Sequence, residues 1–292
     1  MPRRRFALAL TFLLCAGVTR AAEFDRTIPV PRGTRLDVRL LAGAVVVRAW
    51  DRDSIRVRAT HFTTDEIDLR SLGQAITVRA QARRGAPHGI DFDIDVPAWM
   101  AVDIAGTYLD IAIDGTTANV AAETVRGDIH VKGGAGTLRL KSIDGEVVLE
   151  GGRGRAELSS TNDGIRATGF AGELIADTVN GSVKLRAIQA TSVEVGTFGG
   201  DISWEGTFTD DGWYRFATHT GGVDVSLDSR VNATVNVRAF EGVFRAAFPV
   251  KLPDEASRHR RFSFVLGSGS ARLDLETFGG TISLRRPQLA AR

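Results

Sequence analysis

Short stretches in which apolar and polar residues alternate recur along most of the chain, separated by glycine or by Asp and Asn. Leu138 and Leu140, for example, flank Arg139. A period of two places both leucines on one face of a β-strand and Arg139 on the other. Gly, Asp and Asn tolerate positive φ and so allow a tight corner after a strand. The pattern predicts short, half-buried strands joined by tight corners.

These strand-like segments recur with a fixed period. The first series comprises residues 127–131, 145–149, 163–167 and 181–185, and the second comprises 136–140, 154–158 and 172–176. The step is the same throughout both series, and each member of the second series starts midway between two members of the first. In addition, TFGGDIS at 197–203 returns as TFGGTIS at 277–283. Such internal repetition is typical of a coil that stacks on copies of itself.

The fold class predicted from this repeat is all-β, a parallel β-solenoid similar to a single-stranded β-helix, with coils of about 18 residues. A meander of β-hairpins also gives short alternating strands. A meander has no reason to keep one register over four successive turns, whereas a solenoid buries each strand against its equivalent one coil away. The solenoid is therefore the favoured interpretation.

We assign the solenoid repeats to residues 106–286, where the pattern continues with slippage from residue 192 onward, and the alternation over residues 22–105 is less regular. The earlier region is either the start and cap of the same solenoid or a small β-sandwich packed on it. Residues 64–72 could form one or two helical turns. Residues 287–292 form a polar tail.

Residues 1–21 have the features of a signal peptide. Three arginines precede an apolar run at residues 6–18, and Thr19 and Ala21 provide small residues before a cleavage point at Ala22. We therefore expect an exported protein, either in the periplasm or at the cell surface and beyond. The chain has no second apolar span, so no integral membrane segment is expected after cleavage.

Cleavage changes the charge and removes the one cysteine. The precursor has 37 basic and 35 acidic residues, and loss of four arginines leaves 33 against 35, a formal charge of −2. This balance argues against a nucleic-acid partner. Without Cys15, the mature chain has no disulfide and no thiolate metal site.

Several segments resemble the bacterial "putative adhesin" family, a domain-of-unknown-function family of exported β-solenoid repeats. They are the Thr-Phe-Gly-Gly-Asp-Ile signature at 197–202, Val-Arg-Gly-Asp-Ile at 125–129, Val-Asn-Gly-Ser-Val at 179–183 and Val96-Pro97 after an alternating strand. The resemblance covers roughly residues 35 to 285. It implies attachment at the surface or in the envelope, and it transfers no catalytic or ligand residues to this chain.

An acidic cluster is the first candidate site. Asp91, Asp93 and Asp95 alternate onto one strand face. Stacked coils could bring such carboxylates together as a cation site or as the acid groups of a polysaccharide-cleaving β-helix. The favoured alternative is a solvated outer face opposite Phe92 and Ile94.

Trp213 and Tyr214 form the strongest candidate for binding. They interrupt the regular repeat, and an exposed aromatic residue flanked by Asp and Arg can stack on a sugar or anchor a partner. Because the two are adjacent on a strand, only one of them faces the core.

No cofactor, metal site or catalytic residue is predicted. Two glycine corners match the first half of a calcium-binding β-roll repeat, but Leu138 and Ala156 occupy the positions that would need liganding Asp. No two histidines have a metal-binding spacing.

The sequence thus predicts a non-enzymatic, adhesin-like or scaffolding solenoid of the cell envelope. Its partner is expected to be an envelope or surface protein or glycan, and an uncapped solenoid end could also permit self-association. The alternative function is a polysaccharide-active β-helix enzyme of the envelope or exterior.

Overall fold

The computed structural model describes residues 21–82, 85, 88–251 and 261–287, and every regular element within them is a β-strand. The strands are β1 (Ala21–Pro29), β2 (Arg35–Trp50), β3 (Ser54–Phe62), β4 (Asp65–Leu72), β5 (Ala75–Ala82), β6 (Asp91–Pro97), β7 (Ala101–Thr116), β8 (Val120–Glu123), β9 (Ile129–Gly133), β10 (Ala135–Lys141), β11 (Val147–Glu150), β12 (Arg153–Ser159), β13 (Ile165–Thr168), β14 (Ala171–Asp177), β15 (Val183–Thr197), β16 (Ile202–Thr218), β17 (Val223–Ser226), β18 (Ala233–Ala239), β19 (Val243–Ala246), β20 (Arg261–Leu266), β21 (Ala271–Thr277) and β22 (Thr281–Arg285). The predicted signal peptide, apart from Ala21, and the tail after Pro287 lie outside the described residues. Both remain predictions.

Most strands pair in parallel with their equivalents one period away. β8, β10, β12 and β14 stack in a first sheet, and β9, β11, β13 and the start of β15 stack in a second. Val147 lies opposite Ile129 on one side and Ile165 on the other, so each step in space is one period of the sequence repeat. The predictions of an all-β chain and of parallel, solenoid-like stacking are confirmed.

The order of the coils departs from the order of the chain at both ends. β2 contributes to both sheets and lies between β7 on one side and β5 and β6 on the other, all in parallel register. At the other end, β21 lies between β16 and β18, and β22 lies between β17 and β19. Residues 22–105 thus contribute strands to the same two sheets as the repeats.

Antiparallel strands flank the parallel stack. β3 pairs with β6 and β1 with β3, β4 pairs with β5, and β20 pairs with β18. The prediction of helical turns at residues 64–72 is wrong, because β4 forms an antiparallel ladder along β5 from Asp65–Ala82 to Leu72–Ala75. Tertiary pairing has overridden the local preference.

The core lies between the two sheets and runs the length of the stack as one cluster of buried residues. Alternate side chains of each strand enter it, as Leu138 and Leu140 do on β10 while Arg139 stays exposed. Burying one such leucine contributes about 1.5–3 kcal/mol.

A ladder of buried hydroxyl groups crosses the corner that leads from the first sheet to the second, which we call the first corner. Thr197 Oγ1 donates to the carbonyl of Gly181 in the neighbouring coil at 2.9 Å and accepts from the N–H of Gly200 at 3.2 Å. The same donated bond to the neighbouring coil, at 2.9–3.0 Å, is made by Ser142, Ser160, Thr178, Thr218 and Thr277. At this corner some backbone carbonyl and N–H groups have no backbone partner, and the hydroxyl groups form hydrogen bonds with them instead.

The glycines of the first corner are needed for close packing. A Cβ atom on Gly200 would lie 1.9 Å from the carbonyl oxygen of Gly181, and one on Gly145 would lie 1.9 Å from that of Gly127. Neither Gly200 nor Gly145 has positive φ, so the tolerance of positive φ that the sequence suggested as the reason for corner glycines does not explain these two. It does apply at the opposite corner, where Gly151 has φ of 70°.

Candidate functional site

The coils widen after β14, and their core contains a cluster of aromatic side chains. The step from Val183 to its partner Ile202 is longer than a regular step, and the step from Ile202 to its partner Val223 is longer still. We call the coils formed by β15, β16 and β17 the wide coils. In their core, the ring of Trp204 lies 5.3 Å from that of Phe216 and 5.8 Å from that of Tyr214. Larger core side chains therefore occupy a longer coil.

Of the two aromatic residues predicted as a binding site, Tyr214 lies in the core and Trp213 lies on the outer face of the sheet. Tyr214 is buried, and its hydroxyl donates to the carbonyl of Ala190 at 2.6 Å and accepts from the N–H of Thr209 at 2.9 Å. It is therefore not available to a ligand at the surface. Trp213 is half-buried on the outer face of β16, between Ser192 and Arg272 on the adjacent strands.

Asp91, Asp93 and Asp95 lie on the outer face of β6, far from Trp213 along the stack. Asp93 contacts Arg48 at 2.6 Å and Arg58 at 3.1 Å, and Arg58 also contacts Asp95 at 3.0 Å. The Asp91 carboxylate accepts from a backbone N–H at 2.9 Å. The three carboxylates are therefore engaged in ion pairs and a hydrogen bond with the neighbouring strands. Among the described residues, no group of three or more His, Cys, Asp or Glu side chains could hold a metal ion.

The residue after each first-corner Ser or Thr points outward, and these residues form a row along the stack. At the wide coils, and at the strands β21–β22 and β18–β19 that stack beyond them, the row becomes an aromatic stack, which we define as Phe198, His219, Phe278 and Phe240. The His219 ring lies 4.5 Å from Phe198 and 4.8 Å from Phe278, both at 12° between planes. Phe240 follows at 6.0 Å from Phe278, and the guanidinium carbon of Arg261 lies over the Phe240 ring, 5.4 Å from its centroid.

Phe198 is 56% exposed and Phe278 41%, so the stack is a surface feature and not an extension of the core. Exposed aliphatic residues continue the same row over the regular coils, namely Val125, Ile143 and Val179.

An outer groove lies beside the stack, across β16, β21 and β18. It consists of two adjoining cavities of about 390 Å³ each, which share Arg215 and Glu276. One cavity is lined by Trp213, Asn236, Arg238, Arg272 and Asp274, and the other by Gly196, Ala217, His219, Phe240 and Phe278.

Ion pairs hold the charged side chains of the outer groove. Arg215 lies 3.0 Å from Glu194 and 3.9 Å from Glu276, which also contacts Arg238 at 3.6 Å. Asp274 contacts Arg272 at 2.8 Å and accepts from the Asn236 amide at 2.8 Å. The polar groups are thus oriented by one another.

Asp177 lies next to the groove, and its carboxylate packs over Gly196. Partial desolvation raises the pKa of Asp177, the nearby Glu194 raises it further, and Arg215 opposes both. The side chain still presents an exposed surface, so the effect on stability is small.

The aromatic stack was not predicted, although the sequence holds a signal for it. Phe198, His219 and Phe278 each follow the threonine that begins a first corner, in TFGG, THTGG and TFGG. Aligning the repeats on that threonine would have placed the three rings in one row.

A family comparison agrees with this architecture. A family model described as Toastrack DUF4097 matches residues 33–285. The chain belongs to the Toastrack DUF4097 family. The predicted resemblance to a family of unknown function named for its "putative adhesins" is confirmed. No curated protein matched the chain.

Solved structures resemble the chain along most of its length, at low identity. A "putative adhesin" from Parabacteroides merdae shares 11% identity, with a TM-score of 0.49, over 92% of this chain and 97% of that one. Another from Bacteroides fragilis shares 13% identity, with a TM-score of 0.43, over 90% and 97%. The described residues include no helix long and apolar enough to cross a membrane.

Proposed function

We propose that the protein is an exported, non-enzymatic, adhesin-like protein that binds a component of the cell envelope through the outer groove. The observation that carries the proposal is the conjunction of Trp213, the exposed aromatic stack and two adjoining cavities on the face formed by β16, β21 and β18. Exposed aromatic residues beside a concave, partly polar surface are typical of binding sites. The predicted signal peptide supports export.

The charged groups of the outer groove favour binding over catalysis. Glu194 and Glu276 share Arg215, and Asp274 contacts Arg272. Polysaccharide hydrolysis needs one carboxyl group that donates a proton and a second that acts on the substrate or on water. Carboxylates fixed by arginines suit recognition better, because their oxygens and the guanidinium N–H groups are already oriented.

Cosedimentation with an envelope fraction tests the proposal. Purified residues 22–292 are mixed with washed envelopes from the source cells, and the bound fraction is measured against protein concentration. Trp213→Ala should weaken binding at least about tenfold, as expected for an aromatic anchor. Arg155→Ala, which changes the same sheet face in the regular coils, is the matched control and should bind like the wild type. Failure of the wild type to bind would overturn the proposal.

Export is tested separately by protease treatment of intact cells and by N-terminal sequencing of the recovered chain. We expect a mature chain that begins at Ala22. Degradation on intact cells would support a surface position, and protection until the outer envelope is opened would support the periplasm. A full-length chain found only in the cytosol would contradict export.

A further inference from the structure

We propose that the outer groove recognises a neutral oligosaccharide chain. This inference rests on the proposed function and adds the chemical class of the ligand. It follows from the charge balance of the groove, the position of Trp213 and the shape of the two cavities.

The charges of the outer groove cancel in pairs. Three guanidinium groups, those of Arg215, Arg238 and Arg272, face three carboxylates, those of Glu194, Asp274 and Glu276. Beside the second cavity, Asp177 at Gly196 adds one negative charge and Arg261 over Phe240 adds one positive charge. An anionic polymer would be repelled by the carboxylates, and a cationic polymer would be repelled by the arginines. A neutral ligand with many hydroxyl groups avoids both conflicts, since each hydroxyl can donate to a carboxylate and accept from a guanidinium.

Trp213 supplies the apolar part of the recognition. Its neighbours across the sheet are Ser192, which is small, and Arg272, which is drawn toward Asp274 at 2.8 Å. A pyranose ring has one face of C–H groups and a rim of hydroxyls. The apolar face of the Trp213 ring matches the C–H face of the sugar. The polar side chains around the ring can form hydrogen bonds with the hydroxyl rim.

The groove is long enough for a chain of sugars. Trp213 and Ala217 are four residues apart on one face of β16, a distance of about 13 Å along an extended strand. Gly196 has no side chain and Ala217 has a small one, and both line the second cavity together with His219 and Phe278. Each cavity of about 390 Å³ falls in the usual range for small-ligand sites.

The regular coils offer a contrast on the same sheet face. There Arg155 lies between Glu157 at 3.1 Å and Glu173 at 3.1 Å, and Arg139 contacts Glu157 at 3.2 Å. These side chains form a charge ladder like that of the groove, without an aromatic residue among them. Trp213 is therefore what distinguishes the groove from an ordinary outer face.

The test uses the washed envelope fraction in three forms: untreated, digested with proteinase K, and oxidised with periodate, which cleaves carbon–carbon bonds between adjacent hydroxyl-bearing carbons. Binding should survive proteinase and fall at least tenfold after periodate. Loss after proteinase together with survival after periodate would overturn the inference in favour of a protein ligand. No binding to the untreated fraction would instead overturn the proposed function, and the inference with it.

Salt separates a neutral glycan from an anionic one. Between 0.05 and 0.5 M NaCl the affinity for the proteinase-treated fraction should change less than about twofold, since screening acts on charged ligands. A fall of more than tenfold would overturn the assignment of a neutral chain.

Substitutions at Trp213 separate ring stacking from general hydrophobic contact. Trp213→Phe should keep most of the binding, whereas Trp213→Leu should lose it at least fivefold, with the thermal unfolding midpoints of both compared to confirm folding. Equal binding by the Leu variant would contradict stacking on a sugar face. Tyr108→Ala, which removes an exposed aromatic residue at a distant coil, is the control and should have no effect.

Discussion

The regular coils, from β9 to β14, and the wide coils, from β15 to β17, use the same two sheets and the same first corner, and they differ in period and core. The regular coils keep one constant period around a core that consists of small and aliphatic side chains such as Ala156 and Leu158, together with the aromatic ring of Phe170. The wide coils have longer and unequal periods, and their core holds Trp204 and Tyr214.

In this stack, the residues that set how one coil packs on the next are separate from the residues that vary the width and the outer face of a coil. The first corner, with its hydroxyl ladder and close glycines, sets how one coil sits on the next and is alike in both regions. The opposite corner absorbs the added residues, because it tolerates Ala187 and Asp211 at φ of 52° and 59°. A coil can therefore widen, take in aromatic residues and change its outer face without losing its register.

Glycine substitution at the first corner should have the largest effect and should be equal in the two regions. Gly145→Ala in the regular coils and Gly200→Ala in the wide coils each force a Cβ to within 1.9 Å of a carbonyl oxygen. We expect each to lower the free energy of unfolding by more than about 3 kcal/mol, measured by urea denaturation. Gly199→Ala is the control: its Cβ would lie 3.6 Å from the nearest atom, so it should be nearly neutral. A mild effect at Gly200 would contradict the close-packing explanation.

Removal of a corner hydroxyl should come next. Thr197→Val keeps the shape of the side chain but leaves the Gly181 carbonyl and the Gly200 N–H without their partner. The expected cost is about 1–3 kcal/mol, because buried unpaired groups lose the full value of their hydration. Thr168→Val, at an exposed strand position, should change the urea midpoint little. Equal effects of the two variants would mean that the ladder adds nothing to stability.

Tyr214→Phe acts on the wide coils alone. It removes the bonds to the Ala190 carbonyl and the Thr209 N–H while keeping the ring in contact with Trp204. We expect a loss of about 1–2 kcal/mol in thermal unfolding. Tyr108→Phe, where the side chain is 53% exposed, should be neutral. If both variants unfold like the wild type, the Tyr214 hydroxyl does not stabilise the opposite corner of the wide coils.

The smallest effects are expected from two carboxylates on the first sheet, and they should have opposite signs. Desolvation and Glu194 raise the pKa of Asp177 above its ordinary 3.8. The protonated side chain therefore stabilises the fold below pH 3.8, and this contribution is lost as the pH rises through the raised pKa. Hydrogen bonds from Arg155 and Arg139 lower the pKa of Glu157 below its ordinary 4.5, so its stability is present above that value and is lost as pH falls through the lowered pKa.

Asp177→Asn should therefore raise the unfolding midpoint slightly at pH 7 and leave it unchanged below pH 3.8, whereas Glu157→Gln should lower it slightly at pH 7. Thermal scans across this pH range check both. Shifts of the same sign at neutral pH would show that the environments of the two carboxylates do not differ as described.

Much of the fold could be predicted because the repeat fixes which residues face each other. Ile129, Val147 and Ile165 were placed one above another from their equal spacing along the chain, and the structure pairs them so. The alternation that put only one of Trp213 and Tyr214 inside also holds.

The outer groove could not be predicted, because alternation says nothing about the spatial order of coils. The groove depends on β21 lying between β16 and β18, which brings Asp274 and Glu276 beside Arg215 from a distant part of the sequence. The return of the TFGG motif at residue 277 indicated an equivalent corner but not which coil it would contact.

Hydroxyl-radical footprinting of the mature chain, with and without the washed envelope fraction, tests most directly whether the outer groove is the binding site. Trp213, His219 and Phe278 oxidise readily and lie at the outer groove, while Tyr108 and His130 report on coils further along the stack. We expect the envelope fraction to protect Trp213, His219 and Phe278 and to leave Tyr108 and His130 unchanged. Protection of Tyr108 and His130 with no change at Trp213 would contradict this expectation.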